Sequence, residues 1–303
     1  MLNAQCSMLN AQCSMLNEFI PQETKDGSYT FYSDEFQEAF HSCYGAKQEA
    51  ENKYIKPCLI KEIAKQKSTI RLLDICYGLG YNSAAAIEAI WAVNPQCCVE
   101  LIGLEISPDV PRAAIQYQLL SQWRSPVPQL LTKLANTSAV RDNNFQGRLL
   151  LGDARQTIQS IQSDWQADAI FLDPFSPPKC PQLWTVEFIE LVANRLTPTG
   201  RLATYSCAAA VRKALSLAGL HFGSIILSDR QSPGTIASFE YKNIPRLDQW
   251  ELEHLKTRAA VPYRDVNWQN SAVEIHLRRQ QEQKNSNLES TSKWKKRWLL
   301  SNM

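Results

Sequence analysis

From about Thr69 onward, short unbroken apolar runs alternate with stretches of good helix formers. Residues 70–75 (IRLLDI), 98–104 (CVELIGL), 148–151 (RLLL), 167–172 (ADAIFL) and 201–205 (RLATY) read as strands. They are continuous rather than alternating, which is the pattern of parallel strands covered on both faces. Residues 83–90 (SAAAIEAI) and 186–194 (VEFIELVAN) read as helices, and 197–200 (TPTG) as a turn. Two further strands are expected at 223–227 and 235–241, and the short Ser232-Pro233-Gly234 link makes that pair antiparallel. The sum is an α/β chain with a doubly wound, seven-stranded, mostly parallel sheet and one antiparallel strand. About 40 residues separate Glu105 from Arg148, more than one crossover needs, so an insertion is expected at about 107–147. Residues 18–68 form an N-terminal addition, 69–241 the core, and 242–303 a C-terminal extension.

The chain ends change this picture. Residues 1–7 (MLNAQCS) recur at 8–14, and 15–17 begin a third copy. Two and a half copies do not build a repeat fold, and 1–17 is read as a disordered duplicated segment. Net charge is +2, placed unevenly: residues 241–303 hold 12 Lys/Arg against 7 Asp/Glu, and residues 1–240 hold 20 against 23. The end, Lys293-Trp294-Lys295-Lys296-Arg297-Trp298, mixes cations with indoles. Such a segment can contact phosphates and stack on unpaired bases, or it can be a docked terminal helix.

Hydrophobic content of 44% and charged content of 20% are ordinary for a globular chain. There is no apolar run of membrane-spanning length and no signal-peptide layout. Nine cysteines without framework spacing suggest reduced thiols. A cytoplasmic enzyme with no membrane partner and no metal is the expectation.

Ligands of an open parallel sheet lie beyond the carboxyl ends of its strands. The residues falling there are Asp74 with Gly78 and Gly80, then Glu105, Asp153 and Asp173. The two glycines tolerate a tight turn and close approach of the backbone to a ligand. Glu105 is placed to accept from both ribose hydroxyls, Asp153 from an adenine amino group, and Asp74 to sit near a methionine amine. Gly78-x-Gly80 followed by an acid also suits a nicotinamide cofactor, but Ser83 stands where that fingerprint has its third glycine. Together these residues favour S-adenosyl-L-methionine.

Asp173-Pro174-Phe175-Ser176-Pro177 closes a later strand, with Lys179 just beyond. Transfer of methyl from a sulfonium is an in-line displacement in which the enzyme mainly positions and desolvates. A carboxylate and a backbone carbonyl at Asp173-Pro174 can accept from an amine and aim its lone pair. Phe175 can wall the pocket or stack on a base, the prolines stiffen the loop, and Lys179 can reach a phosphate. Asp173 and Ser176 could instead cap the next helix, and Asp153 likewise.

With these residues placed, the chain resembles the MnmC-like methyltransferase family. The resemblance runs over about residues 26–279. It rests on Asp26-Gly27-Ser28 with Thr30, on His41-Ser42 with Gly45-Ala46 and Glu49, and on Asp74-x-Cys76-Tyr77-Gly78-Leu79-Gly80-Tyr81-Asn82. It continues through Asp173 to Lys179, Ser232-Pro233-Gly234-Thr235 and Pro262-Tyr263-Arg264-Asp265. It implies a Rossmann-like class I methyltransferase that converts 5-aminomethyl-uridine to 5-methylaminomethyl-uridine in a tRNA anticodon loop. It further implies that the basic C-terminal third contacts phosphates. Cys76 replaces the family's usual first loop glycine. Fused members carry a flavin-dependent oxidase domain that removes a carboxymethyl group, for which this chain has no second dinucleotide motif. The substrate then arrives as the aminomethyl form, or another enzyme supplies it. Competing readings are a same-fold methyl- or aminopropyl-transferase for a small amine, and a non-catalytic RNA-binding scaffold.

Overall fold

The computed structural model describes residues 19–226 and 232–301, so the terminal heptapeptide repeat lies outside the described residues. The chain divides into two compact units, Met1–Asp153 and Ala154–Met303.

The first unit opens with two small antiparallel ladders, β1 (Gln22–Glu23) with β2 (Tyr29–Thr30) and β3 (Tyr32–Ser33) with β4 (Glu38–Ala39). α1 (Ala46–Glu49) continues into a π-helical turn, Ala50–Ile55, and α2 (Ile60–Ala64) follows. The start of α1 is capped from a distance. Ser28 Oγ accepts from Ala46 N–H at 2.9 Å and Lys47 N–H at 3.2 Å, and Asp26 Oδ2 accepts from Gln48 N–H at 2.8 Å. A Cβ on Gly45 would lie 2.5 Å from that Asp26 oxygen, which explains the glycine. The Asp26-Gly27-Ser28 and Gly45-Ala46 signatures are therefore two halves of one helix cap.

β5 (Thr69–Ile75), α3 (Tyr81–Val93), β6 (Cys98–Glu105), α4 (Asp109–Gln116), α5 (Val127–Thr137), β7 (Ala139–Asp142) and β8 (Phe145–Leu151) complete the unit. β5 pairs in parallel with β6, and β6 with β8. The apolar residues of β5 and β6 are buried, as their unbroken runs require.

In the second unit come α6 (Ala154–Thr157), β9 (Ala167–Leu172), α7 (Val186–Ala193), β10 (Leu196–Thr204), α8 (Ala209–Leu217), β11 (His221–Ile225) and β12 (Gly234–Ser238). Three helices follow: α9 (Gln249–His254), α10 (Ala272–Asn285) and α11 (Thr291–Ser301). β9 and β10 are parallel, and β12 runs antiparallel between β10 and β11. The expected turn at 197–200 is an irregularity inside β10, where the register to β9 shifts between Leu196 and Arg201. Pro198 has no N–H to give a ladder there.

The α/β class with a mostly parallel sheet holds, but the sheet has eight strands rather than seven. The extra one is β7, from the region between Glu105 and Arg148, antiparallel to β8. Its sequence, Ala139-Val140-Arg141-Asp142, is too short and too exposed to carry an apolar run.

No described helix is long and apolar enough to cross a membrane. The seven described cysteines are free thiols.

Candidate active site

Each expected donor-site residue falls at the carboxyl end of a strand in the first unit. Asp74 is the penultimate residue of β5 and is buried, and its Oδ2 accepts from Ser83 Oγ at 2.6 Å. Glu105 is the last residue of β6 and only 7% exposed. Asp153 is half-buried, following Gly152, whose N–H donates to the Glu105 carbonyl at 2.8 Å. The register Glu105↔Leu151 sets those two strand ends side by side.

The turn after β5 is tied to β6 twice. Tyr77 N–H donates to the Leu104 carbonyl at 3.0 Å, and Gly78 N–H donates to Glu105 Oε2 at 2.8 Å. Glu105 Oε1 accepts from Ile106 N–H at 2.8 Å. Ser107 N–H makes a longer contact to the same Oε1 at 3.5 Å, and with about four lone-pair directions on a carboxylate it is Oε2 that keeps capacity for one more donor. Burial pushes the Glu105 carboxyl above its usual range, while the N–H groups of Gly78, Ile106 and Ser107 pull the other way.

The loop backbone explains its residues. Cys76, Gly78 and Gly80 all have positive φ, 63°, 55° and 82°. The left-handed Cys76 shows why a glycine suits that position. The two glycines differ in what surrounds them. A Cβ at Gly80 would come within 2.5 Å of the Tyr77 hydroxyl, so that space belongs to Tyr77 rather than to a ligand. At Gly78 nothing lies closer than 3.7 Å, which leaves room for close approach. Burial first, then the Asp74 and Glu105 carboxylates, push the Tyr77 phenol upward.

The N-terminal addition reaches this loop. Phe40 lies 3.7 Å from the Cβ position of Gly78, and His41 stacks on Tyr81, the first residue of α3, at 5.1 Å and 26°. Burial holds His41 down at about 4, against the raising influence of Glu49 and Asp26. Ile106, 70% exposed beside Glu105, is a residue the sequence reading missed. Its only signal was an apolar side chain just past a strand end.

These features fit S-adenosyl-L-methionine: acceptors for ribose and amino groups, an exposed aliphatic surface beside them, and an open backbone at Gly78.

In the second unit, Asp173 follows β9 and is half-buried. Pro174 and Pro177 are buried, Phe175 and Ser176 half-buried, and Lys179 exposed. The loop is held by its carbonyls. Tyr205 OH donates to the Pro174 carbonyl at 2.9 Å, and Trp184 Nε1–H to the Phe175 carbonyl at 2.8 Å. His276 Nε2 meets the Pro178 carbonyl at 3.0 Å. The Ser176 carbonyl accepts from Lys179 N–H at 2.7 Å and Cys180 N–H at 2.9 Å. Tyr205 directly follows β10, whose register pairs Ala203 with Phe171, so it stands level with Asp173. Tyr205 and Trp184 were not singled out from the sequence. Each makes a contact that only the folded chain supplies.

The downstream signatures are structural. Asp265 is buried, accepting from Arg155 Nη1 at 2.7 Å and from Gln269 and Asn270 N–H at 3.2 Å. Arg264 pairs with Glu187 at 2.8 Å. Arg279 donates to the Val261 carbonyl at 2.7 Å and lies over the Tyr263 ring, and Arg278 pairs with Glu282 at 3.1 Å. Thr235 accepts from Arg212 at 3.0 Å and donates to the Ser206 carbonyl at 2.7 Å. Trp294 is fully buried, so its indole does not stand ready to stack on a base.

A family model described as S-adenosyl-L-methionine-dependent methyltransferase matches residues 114–239. The crystal structure of MnmC2 from Aquifex aeolicus superposes with a TM-score of 0.78 at 32% identity, over 88% of this chain and 86% of that one. An uncharacterized protein of Methanocaldococcus jannaschii is 31% identical over 262 residues, 82% of this chain and 68% of its own. The tRNA 5-methylaminomethyl-2-thiouridine biosynthesis bifunctional protein MnmC of Methylibium petroleiphilum is 26% identical over 243 residues, 75% of this chain. This chain spans about a third (36%) of that bifunctional relative's length.

Proposed function

The chain belongs to the S-adenosyl-L-methionine-dependent methyltransferase family of MnmC2, and from that premise we propose that it methylates the aminomethyl nitrogen on carbon 5 of a tRNA wobble uridine. The observation that carries the reading is the likeness to MnmC2 over 86% of that chain. The bifunctional MnmC relatives are named for biosynthesis of tRNA 5-methylaminomethyl-2-thiouridine, which suggests the substrate.

When bound, the donor supplies an electrophilic sulfonium methyl. Glu105 would accept from the ribose hydroxyls through the lone pair left on Oε2 and in place of the long Ser107 contact on Oε1. Asp153 would accept from the adenine amino group, Ile106 would offer apolar surface to the base, and Asp74 would hold the methionine amine. The substrate ammonium must first give one proton to water, and Asp173 then accepts a hydrogen bond from the neutral amine and leaves its lone pair free to attack. The Pro174 carbonyl has two lone pairs, and Tyr205 occupies one of them. The other remains to orient the amine. Phe175 and Ser176 line the acceptor loop, and Lys179 reaches a substrate phosphate. The acceptor reaches the site already in the aminomethyl form, and the cytoplasm is the proposed location.

The test is transfer of labelled methyl to tRNA bearing 5-aminomethyl-uridine, with nucleoside analysis of the product. Methylaminomethyl-uridine is the expected outcome, and Asp173→Ala abolishes it while retaining donor affinity. Donor binding without transfer to tRNA would discard this substrate in favour of a small amine.

A further inference from the structure

The last helix, α11, carries Lys293, Lys295, Lys296 and Arg297 and no carboxylate. Its side chains divide into a docking set and an outer set. Trp294 is fully buried, with its ring 4.2 Å from Trp250 and 4.9 Å from His254, within 11° of parallel to the latter. Its Nε1–H donates to Glu253 Oε2 at 3.3 Å. Four residues on, Trp298 meets Trp250 edge-on at 5.3 Å. Arg297 pairs with Glu253 at 2.9 Å and Glu289 at 3.1 Å. Positions 294, 297 and 298 share one helical face, so one cation and two indoles are spent on holding α11 against α9 and the preceding turn.

The three lysines lie off that face. All are exposed, and none forms an ion pair among the described residues. Their charge is not balanced locally, since the helix has no acid of its own and Arg297 already takes the two nearby carboxylates. The chain's positive charge is concentrated in this C-terminal stretch, where residues 241–303 hold 12 Lys/Arg against 7 Asp/Glu, while residues 1–240 are net acidic with 20 against 23. A helix anchored by a buried tryptophan presents its ammonium groups from a fixed backbone, unlike a frayed basic tail.

We propose that the outer face of α11, formed by Lys293, Lys295 and Lys296, is a phosphate-contacting surface for the RNA substrate. This rests on the tRNA reading above. Lysine ammonium groups act as point charges toward phosphates and carry no base information, so the surface contributes affinity and orientation rather than sequence choice. The buried indole of Trp294 takes no part in base stacking. Each phosphate neutralised adds roughly 0.7–0.9 to the slope of log K against log salt.

The experiment uses the full chain carrying Lys293→Gln, Lys295→Gln and Lys296→Gln together, with tRNA binding measured across salt concentrations. The expected result is a salt slope shallower by about two to three, with similar weakening for tRNAs of different sequence. Thermal midpoint and donor affinity should match the wild type, because docking is left to Trp294 and Arg297. A wild-type slope and affinity in the triple variant would overturn the surface. Methyl transfer to tRNA by the wild type, measured alongside, separates the two failures. If the wild type neither binds nor methylates tRNA, the substrate reading falls and this surface with it. If it does both and the variant binds as well, only the surface falls.

Discussion

The carboxylate of Glu105 accepts from the backbone N–H of Gly78 at 2.8 Å, joining the end of β6 to the glycine turn after β5. One side chain therefore shapes the turn and retains acceptor capacity for a ligand. Glu105→Gln leaves a single acceptor oxygen, so it must give up either a backbone partner or a ribose hydroxyl. Hydrogen bonds to charged groups contribute about 1.5–3 kcal/mol. Donor affinity by calorimetry should fall about ten- to a hundredfold, and an unchanged Kd would refute the ribose role.

The positive φ of Cys76, 63°, costs a side-chain-bearing residue roughly 1–2 kcal/mol relative to ordinary helical backbone. Cys76→Gly should relieve most of that and raise the thermal midpoint by about 2–4 °C. A lower midpoint would mean that packing of the thiol outweighs the backbone strain.

Tyr205→Phe removes only the hydroxyl that holds the Pro174 carbonyl at 2.9 Å. If that carbonyl orients the substrate amine, kcat should fall about tenfold with donor affinity unchanged, and loss of the hydrogen bond should lower the thermal midpoint by about 2–4 °C. A kcat within twofold of wild type would show that the loop is held well enough by Trp184 and His276 alone.

His41 gives the N-terminal addition an acid limit. Its folded pKa, about 4, lies below its ordinary 6.5, so folding favours the neutral ring. The stability this contributes is present above pH 6.5 and is lost as pH falls from 6.5 toward 4. Asp26, held low by its hydrogen-bond donors, loses its contribution only below its ordinary 3.8, a separate window. His41→Gln should therefore flatten the fall in thermal midpoint between pH 7 and 4.5. Parallel wild-type and variant curves would show that the folded His41 ring titrates near its ordinary 6.5 and contributes nothing to the acid limit.

Much of the fold could be read from the chain because its strands are continuous apolar runs and its turns are marked by glycine and proline. Residues 167–172 form the expected strand, and the helix expected at 186–194 is Val186–Ala193. The candidate acids were also legible, since strand ends are local features: Asp74, Glu105, Asp153 and Asp173 all stand where the runs stop. β7 was not, because four residues with alternating exposure leave no hydrophobic trace.

By itself, the sequence determined the α/β class, the order of most strands and helices, and which carboxylates stand at strand ends. Propensity, apolar runs and turn residues act over a few neighbours. The tertiary structure alone decided that Ser28 caps a helix 18 residues away and that Tyr205 holds a carbonyl 31 residues earlier. It also decided that Arg155 answers Asp265 across 110 residues and that Trp294 is buried rather than offered to a base. The reason is physical. A buried polar group or indole takes whatever partner the packed chain brings within reach, and that partner need not be near it in sequence.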